Sequence, residues 1–189
     1  MRPDPPLVDK VRSVGTSYEP VRSGDAAEFA AFLVSEPWPF HSGGVVDAAE
    51  VARRVAAGAY FNDSVRTHWI VVGGRRCGFV RAFDLDDGTP LFDVRLAGDC
   101  RGRGVGRAAV GWLVGDLFGL LPEINRIEGT TRADNLAMRA VFRACGFVKE
   151  AHYREAWPGS DGRLHDTIGY GILRRDWLSG STTPVDWAG

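Results

Sequence analysis

The pattern of apolar and polar residues predicts strands and helices in the order β-α-α-β-β-β-α-β-α-β-β. Strands are predicted at 18–22, 67–72, 75–83, 91–96, 126–131, 147–157 and 166–173. Helices are predicted at 26–36, 48–58, 104–120 and 135–145. This order predicts an α/β (α+β) domain, in which helices cover both faces of a central mixed sheet.

Glycines and capping residues mark several of the predicted ends. Asp25 and Asp47 are suited to cap the first two helices, because their side chains can accept hydrogen bonds from the unpaired N–H groups there. Gly73 and Gly74 predict a hairpin turn between two strands. In the third helix, glycine recurs every four residues, at positions 111, 115 and 119. This spacing predicts close packing of that helix on the sheet.

Composition limits the classes of function. The chain has 189 residues, 44% of them apolar, which suffices for one domain with a hydrophobic core. Its 23 basic and 24 acidic residues give a net charge of −1, so we expect no nucleic-acid partner and no membrane partner. The three cysteines fit neither a disulfide framework nor a zinc site, so we expect no metal and a cytoplasmic location.

The two ends of the chain differ from the rest. The N-terminal residues are rich in proline and lack the apolar stretch of a signal peptide. We expect a flexible segment at 1–15, a single domain at 16–178 and a loosely held tail at 179–189. The sequence leaves open whether the chain is a monomer or a homodimer.

A segment of glycines and arginines, RGRGVGR at 101–107, joins the strand at 91–96 to the third helix. We call it the Gly-Arg turn. The first N–H groups of a helix have no partner within the helix, and the helix dipole adds positive potential there. The glycines leave these N–H groups accessible to a ligand, and the arginines add charge. The turn therefore predicts a site for an anion such as phosphate.

Two common phosphate motifs do not fit the Gly-Arg turn. It lacks the Gly-Lys-Ser/Thr of a P-loop, which argues against hydrolysis of a nucleoside triphosphate. A dinucleotide site requires G-x-G-x-x-G and an acidic residue about twenty positions later, where this chain has Arg126. The pattern R/Q-x-x-G-x-G/A does fit, with Arg101, Gly104 and Gly106.

The stretch that contains this pattern resembles the acetyl-CoA-binding segment of the GNAT superfamily of N-acetyltransferases. The second signature of that family, N-x₁₀-G-F, is present as Asn135, Gly146 and Phe147. The resemblance covers residues 16–178 and is greatest to the ribosomal-protein N-acetyltransferase branch. It implies a GNAT fold with a mostly antiparallel sheet, splayed between strands 4 and 5.

The resemblance implies that acetyl-CoA is the cosubstrate and binds in the splayed gap. The pantetheine arm would bond to the fourth strand, the diphosphate would lie on the Gly-Arg turn, and the fourth helix would form the other wall. The implied binding residues are Val94, Arg95, Leu96, Arg101, Gly102, Arg103, Gly104, Val105, Gly106, Arg107, Asn135 and Phe142. Asn135 can equally be a helix N-cap.

The implied reaction is direct attack of a primary amine, on a small molecule or at a protein N-terminus, on the thioester of acetyl-CoA. A base must remove the ammonium proton. Asp93 and Glu128 on the two splayed strands are the candidates, although ion pairs with nearby arginines explain both carboxylates equally well.

This chain departs from the family at the general acid. The family usually has a tyrosine seven residues after its asparagine, whereas this chain has Phe142, which cannot donate a proton. The departure leaves open an alternative function, a non-catalytic acyl-CoA-binding or regulatory domain on the same fold.

The acceptor pocket is expected between the first two helices. Trp38, Phe40 and His41 lie in the connecting loop and could frame an amine. Trp38 and Phe40 could instead fill the core, so His41 is the residue of this group that we most expect to face the ligand.

Overall fold

The computed structural model describes residues 15–41 and 47–187. The strands are β1 (Thr16–Pro20), β2 (Val65–Val72), β3 (Arg75–Phe83), β4 (Leu91–Leu96), β5 (Arg126–Arg132), β6 (Val148–Pro158) and β7 (Leu164–Leu173). The helices are α1 (Ala26–Val34), α2 (Ala48–Ala56), α3 (Val105–Leu120), α4 (Leu136–Ala144) and α5 (Arg174–Ser179). The predicted order is confirmed, and the described residues add the short α5 and two 3-10 turns, Ser23–Asp25 and Gly98–Cys100.

The seven strands form one sheet in the order β1-β2-β3-β4-β5-β7-β6. Neighbouring strands are antiparallel except for β4 and β5, which are parallel and pair only through Leu91 and Glu128. Leu91 is the first residue of β4, so the two strands separate beyond that pair. The mostly antiparallel sheet splayed between strands 4 and 5 is thus confirmed.

Two hydrophobic clusters lie on the two faces of the sheet. The first packs α3 and α4 against the sheet and includes Leu113, Leu117 and Phe142. The second packs α1 and α2 against β2 and β3 and includes Phe29 and Trp69. Alternate residues of a strand point to opposite faces, so Ile70 belongs to the first cluster while its neighbour Trp69 belongs to the second. The prediction of helices on both faces is confirmed.

Most of the predicted helix ends are confirmed. The Asp47 carboxylate accepts a hydrogen bond from the Ala49 N–H at 2.9 Å, and Gly58 follows α2 with a φ of 77°. The prediction that the Asp25 side chain caps α1 is wrong, because this side chain accepts no hydrogen bond from the first N–H groups of the helix. Its carboxylate accepts instead from the Arg22 N–H and from Arg76, which joins α1 to β3.

The ends of the expected domain are described in part. Residues 1–14 of the expected flexible segment and 188–189 of the expected tail lie outside the described residues. The start of the tail is held to α5, because the Asp176 carboxylate accepts bonds from the Thr183 N–H at 2.8 Å and the Thr183 hydroxyl at 2.7 Å. Within the described ranges, no helix has the length and apolar character needed to cross a membrane.

The glycines of α3 do not pack on the sheet, so that prediction is wrong. The buried face of α3 consists of Ala109, Val110, Leu113, Val114, Leu117 and Phe118. A Cβ atom added at position 111, 115 or 119 would have no heavy atom within 4 Å. The repeat therefore lies on the outer side of the helix.

Two glycine-to-alanine substitutions should have opposite effects on stability. Gly111→Ala should raise the free energy of unfolding by about 0.5–1 kcal/mol, because alanine loses less backbone entropy in a helix. Gly129→Ala in β5 should lower it by about 1–3 kcal/mol, because the new Cβ would lie 2.7 Å from the Phe142 ring. Denaturant unfolding measures both. A destabilised Gly111→Ala variant would contradict the outward position of that residue.

Candidate active site

A cavity of about 330 Å³ lies where β4 and β5 separate. Side chains from β3, β4, β5, β6, α4 and the loop after α1 line it. The structure therefore brings together residues that are far apart in the chain. The cavity is lined by the following predicted site residues: Phe40, His41, Asp93, Val94, Arg95, Asn135 and Phe142.

One edge of β4 faces the gap with its peptide groups. The Ala97 N–H donates to the Cys77 carbonyl at 2.9 Å, and successive peptide groups of a strand point to alternate sides. The peptide groups of Arg95 therefore face β3, whereas those of Val94 and Leu96 face the gap. The gap thus offers the peptide groups of Val94 and the Leu96 N–H to an extended ligand, whereas the Leu96 carbonyl already accepts a bond from Arg101.

The Gly-Arg turn has unpaired N–H groups at the start of α3. Gly102 and Gly104 adopt left-handed conformations with φ of 73° and 81°, and a Cβ at either would meet nothing within 4 Å. The first bond of the helix runs from the Ala108 N–H to the Gly104 carbonyl at 3.0 Å. In the described part of the chain, no N–H group from Gly102 to Arg107 has a protein acceptor. The turn therefore fits an anionic ligand such as a diphosphate.

The three arginines of the turn have different surroundings. Arg101 donates through Nε to the Leu96 carbonyl at 2.8 Å, and its terminal nitrogen lies 3.4 Å from Glu36. Arg103 and Arg107 form no salt bridge with any described residue. The positive charge available to a ligand therefore comes mainly from Arg103 and Arg107, together with the helix N-terminus.

Asp93 bonds to two other cavity residues. One carboxylate oxygen lies 2.9 Å from His41 Nε2, and the other accepts from Arg95 Nε, also at 2.9 Å. Burial alone would raise the pKa of Asp93, but the His41 and Arg95 contacts outweigh it and lower this pKa to about 2. A carboxylate with so low a pKa is a weak base and therefore a poor acceptor for the proton of an ammonium group. Its geometry suits orienting the His41 ring.

The Asp93 pairing predicts a pH-dependent contribution to stability. The pKa is lowered from 3.8 to about 2 by folding, so the contribution is full above pH 4 and is lost as the pH falls towards 2. Asp93→Asn should therefore lower the free energy of unfolding by about 2 kcal/mol at pH 7. The difference from the wild type should vanish near pH 2. Denaturant unfolding at several pH values measures it, and a difference independent of pH would contradict the ionic pairing.

Glu128 does not line the cavity. Its carboxylate accepts from Arg126 Nε at 2.6 Å, and Arg126 also contacts the Glu150 carboxylate with both terminal nitrogens. Glu128 is thus part of a salt-bridge network between β5 and β6. An ion pair with a nearby arginine therefore explains this carboxylate.

Asn135 and Phe142 both touch the cavity and both have structural roles. The Asn135 side chain accepts from the Met138 N–H at 3.2 Å, as an N-cap of α4, and donates to the Thr131 hydroxyl at 3.0 Å. Phe142 is 1% exposed, and its ring stacks on Tyr170 with a centroid distance of 4.4 Å. Among the described residues that line the cavity, none is a tyrosine.

The loop after α1 contributes two of its three predicted residues. Phe40 and His41 line the cavity. Trp38 donates through Nε1 to the Leu33 carbonyl at 2.8 Å and packs on Phe32, so it supports the loop from outside the cavity. Arg132 holds the loop to β5, because it donates to the Pro39 carbonyl at 2.9 Å.

Eight of the residues that line the cavity are not among the predicted site residues: Arg81, Phe83, Leu91, Phe92, Thr130, Thr131, Met138 and Trp157. Arg81 interrupts an apolar strand segment, GFVRAF, and that interruption is a signal that could have identified it. Trp157 follows an irregularity in β6, where the register shifts between Tyr153 and Trp157 and Glu155 has a φ of 54°. No local sequence feature predicts where such a shift directs a side chain.

The sequence model of a family described as "Acetyltransferase (GNAT) domain" matches residues 18–148. The chain therefore belongs to the GNAT acetyltransferase family. It is an N-acetyltransferase, and its reaction is the acetyl-CoA-dependent acetylation of an amine. The predicted family and class of activity are confirmed.

Solved structures have the same fold. A chimera of the spermidine N-acetyltransferase SpeG from Vibrio cholerae and hSSAT superposes with a TM-score of 0.76 at 17% identity, covering 86% of this chain and 98% of that chain. A dodecameric spermidine N-acetyltransferase from Vibrio cholerae gives 0.75 at 17% identity, covering 88% and 98%. A probable acetyltransferase gives 0.71 at 21% identity, covering 86% and 94%. A search of the curated proteins found no match.

Proposed function

We propose that the chain acetylates a small primary amine that binds in the cavity beside β3, β4 and the loop after α1. The unpaired N–H groups of the Gly-Arg turn, beside the gap that leads into this cavity, are the observation that carries the proposal. Acetyl-CoA supplies an activated thioester when bound. Residues 102–107 would hold its diphosphate, and the peptide groups of Val94 and the Leu96 N–H would hold its pantetheine arm, with Asn135 and Phe142 as the opposite wall.

We propose His41 as the proton acceptor in place of Asp93 or Glu128. The ionised Asp93 can only accept a hydrogen bond, so in a neutral His41 ring Nε2 carries the hydrogen and Nδ1 carries the lone pair. Nδ1 has no hydrogen-bond partner among the described residues. Such an imidazole can take a proton from the substrate ammonium, while Asp93 stabilises the imidazolium that forms.

Proteins with the same fold favour one of the two predicted kinds of amine acceptor. The spermidine N-acetyltransferases that share the fold act on a small amine, which favours a small molecule over a protein N-terminus as the acceptor here. Membership of the ribosomal-protein branch and assembly into a homodimer stay predictions.

Release of free thiol from acetyl-CoA with a panel of primary amines tests the proposed function. We expect turnover with at least one small amine, and we expect calorimetry to detect coenzyme A binding. Tight binding of coenzyme A without turnover of any amine would contradict the proposal and favour the non-catalytic acyl-CoA-binding alternative.

A further inference from the structure

The charges of the cavity do not suit a polycationic amine. Asp93 is the single acidic residue among the described residues that line it, and both of its oxygens are engaged by His41 and Arg95. Two arginines, Arg81 and Arg95, line the same cavity. A second ammonium group of a polyamine would therefore find cations there and no free carboxylate.

Arg81 is a half-buried cation that lies opposite Asp93 in the pairing of β3 with β4 but is not bonded to it. Its guanidinium forms no salt bridge or hydrogen bond with the described residues and lies over the rings of Tyr60 at 5.0 Å and Phe83 at 5.1 Å. Its Nε atom is buried and has no acceptor. Leaving a buried N–H group of a charged side chain unpaired is costly, so an acceptor supplied by a ligand would stabilise this side chain.

A second unpaired donor lies on the same cavity. The Trp157 indole Nε1 is buried without an acceptor, and β6 supplies this residue from the far side of the gap. An indole nitrogen can only donate. Two residues that line the cavity thus carry a buried N–H donor without an acceptor among the described residues, one of them cationic, and the rings of Phe40 and Phe83 line it as well.

From these contacts we infer that the acceptor amine also carries a carboxylate, which Arg81 and Trp157 bind while the amine reaches the thioester. The inference rests on the proposed function and narrows its substrate class to amino acids or ω-amino acids. Arginine binds a carboxylate through two parallel N–H···O bonds, and this geometry distinguishes a carboxylate from an ammonium or a methyl group.

A matched substrate series tests the inference. The kcat/KM of each amino acid in the series is compared with that of the alkylamine and the diamine of equal length, and with that of spermidine. The amino acids are glycine, β-alanine, 4-aminobutanoate and 5-aminopentanoate. At the best length, we expect the amino acid to exceed both matched amines by about tenfold or more, since a charge-assisted hydrogen bond discriminates by this order. An equal or greater value for the diamines or for spermidine would overturn the inference.

Two variants assign the preference to its residues. Arg81→Gln should remove the preference through a higher KM, whereas Arg54→Gln should retain it, because Arg54 also lies over the Tyr60 ring but does not line the cavity. Trp157→Phe keeps an aromatic ring, deletes the donor and should weaken the preference several-fold. Coenzyme A binding measured by calorimetry shows that each variant is folded. An unchanged preference in both Arg81→Gln and Trp157→Phe would overturn the assignment.

The outcomes separate this inference from the proposed function. Turnover of amines without a carboxylate preference contradicts the inference alone. Coenzyme A binding without turnover contradicts the proposed function, and the same amines are then titrated calorimetrically into the coenzyme A complex. Tighter binding of the amino acids than of the diamines would support the carboxylate site in that case, and equal or weaker binding would overturn it.

Discussion

Gly104→Glu is expected to raise the Kd for acetyl-CoA by at least about 100-fold while the chain stays folded. The new carboxylate would lie at the N-terminus of α3, where the N–H groups from Gly102 to Arg107 have no acceptor within the described residues. It would repel a diphosphate and compete for the same donors. Calorimetric titration with coenzyme A measures the loss.

The substitution also strains the backbone, and this effect needs a control. Gly104 has a φ of 81°, so any side chain there costs about 1 kcal/mol. Gly180→Glu is a matched variant, because Gly180 has a φ of 68°, is exposed, has nothing within 4 Å of a new Cβ and follows α5. We expect it to lose similar stability and to keep its affinity for coenzyme A. Unchanged affinity in Gly104→Glu would remove the Gly-Arg turn as the diphosphate site.

His41→Gln is expected to lower kcat by about 100-fold at neutral pH, because a positioned base contributes about 10²–10⁴-fold to proton transfer. The Kd for coenzyme A should stay within about twofold, since His41 bonds to Asp93 and to no residue of the Gly-Arg turn that the structure describes. Steady-state kinetics across pH 6 to 10 measure kcat, and calorimetric titration measures the Kd for coenzyme A. The kcat of the variant should depend more steeply on pH than that of the wild type, because the amine must then lose its proton to solvent.

A second histidine provides the control. His152 also bonds to an aspartate, with its Nε2 2.7 Å from Asp166, but this pair is exposed on β6 and β7 and does not line the cavity. His152→Gln should leave kcat unchanged. A His41→Gln variant with the kcat and pH profile of the wild type would show that His41 is not the proton acceptor.

Local sequence signals predict the elements and the cosubstrate side of the site. The Gly-Arg turn and the N-x₁₀-G-F signature are continuous in the chain, and each depends on one strand-to-helix junction or one helix. Asn135 as an N-cap and Gly146 after α4 are confirmed for the same reason. The outward glycines of α3 are the exception, because residue type alone does not say which side of a helix packs.

The acceptor side of the site depends on contacts between distant segments. His41 and Asp93 are 52 residues apart in the chain, and Arg132 holds the loop of His41 from 93 residues away. The sequence places two candidate carboxylates, Asp93 and Glu128, on neighbouring strands. It could not show that Arg126 binds one of them, whereas His41 and Arg95 bind the other.

The sequence by itself determined the order of the elements, the family and the strand-to-helix turn with its free N–H groups, because each of these is encoded in a continuous segment with its own period, turn or cap. The tertiary structure alone decided which carboxylate borders the cavity, which histidine it contacts, and that Arg81 Nε and Trp157 Nε1 have no acceptor among the described residues. The physical reason is that the charge and hydrogen bonding of a side chain depend on partners that only the folded sheet brings within about 3 Å.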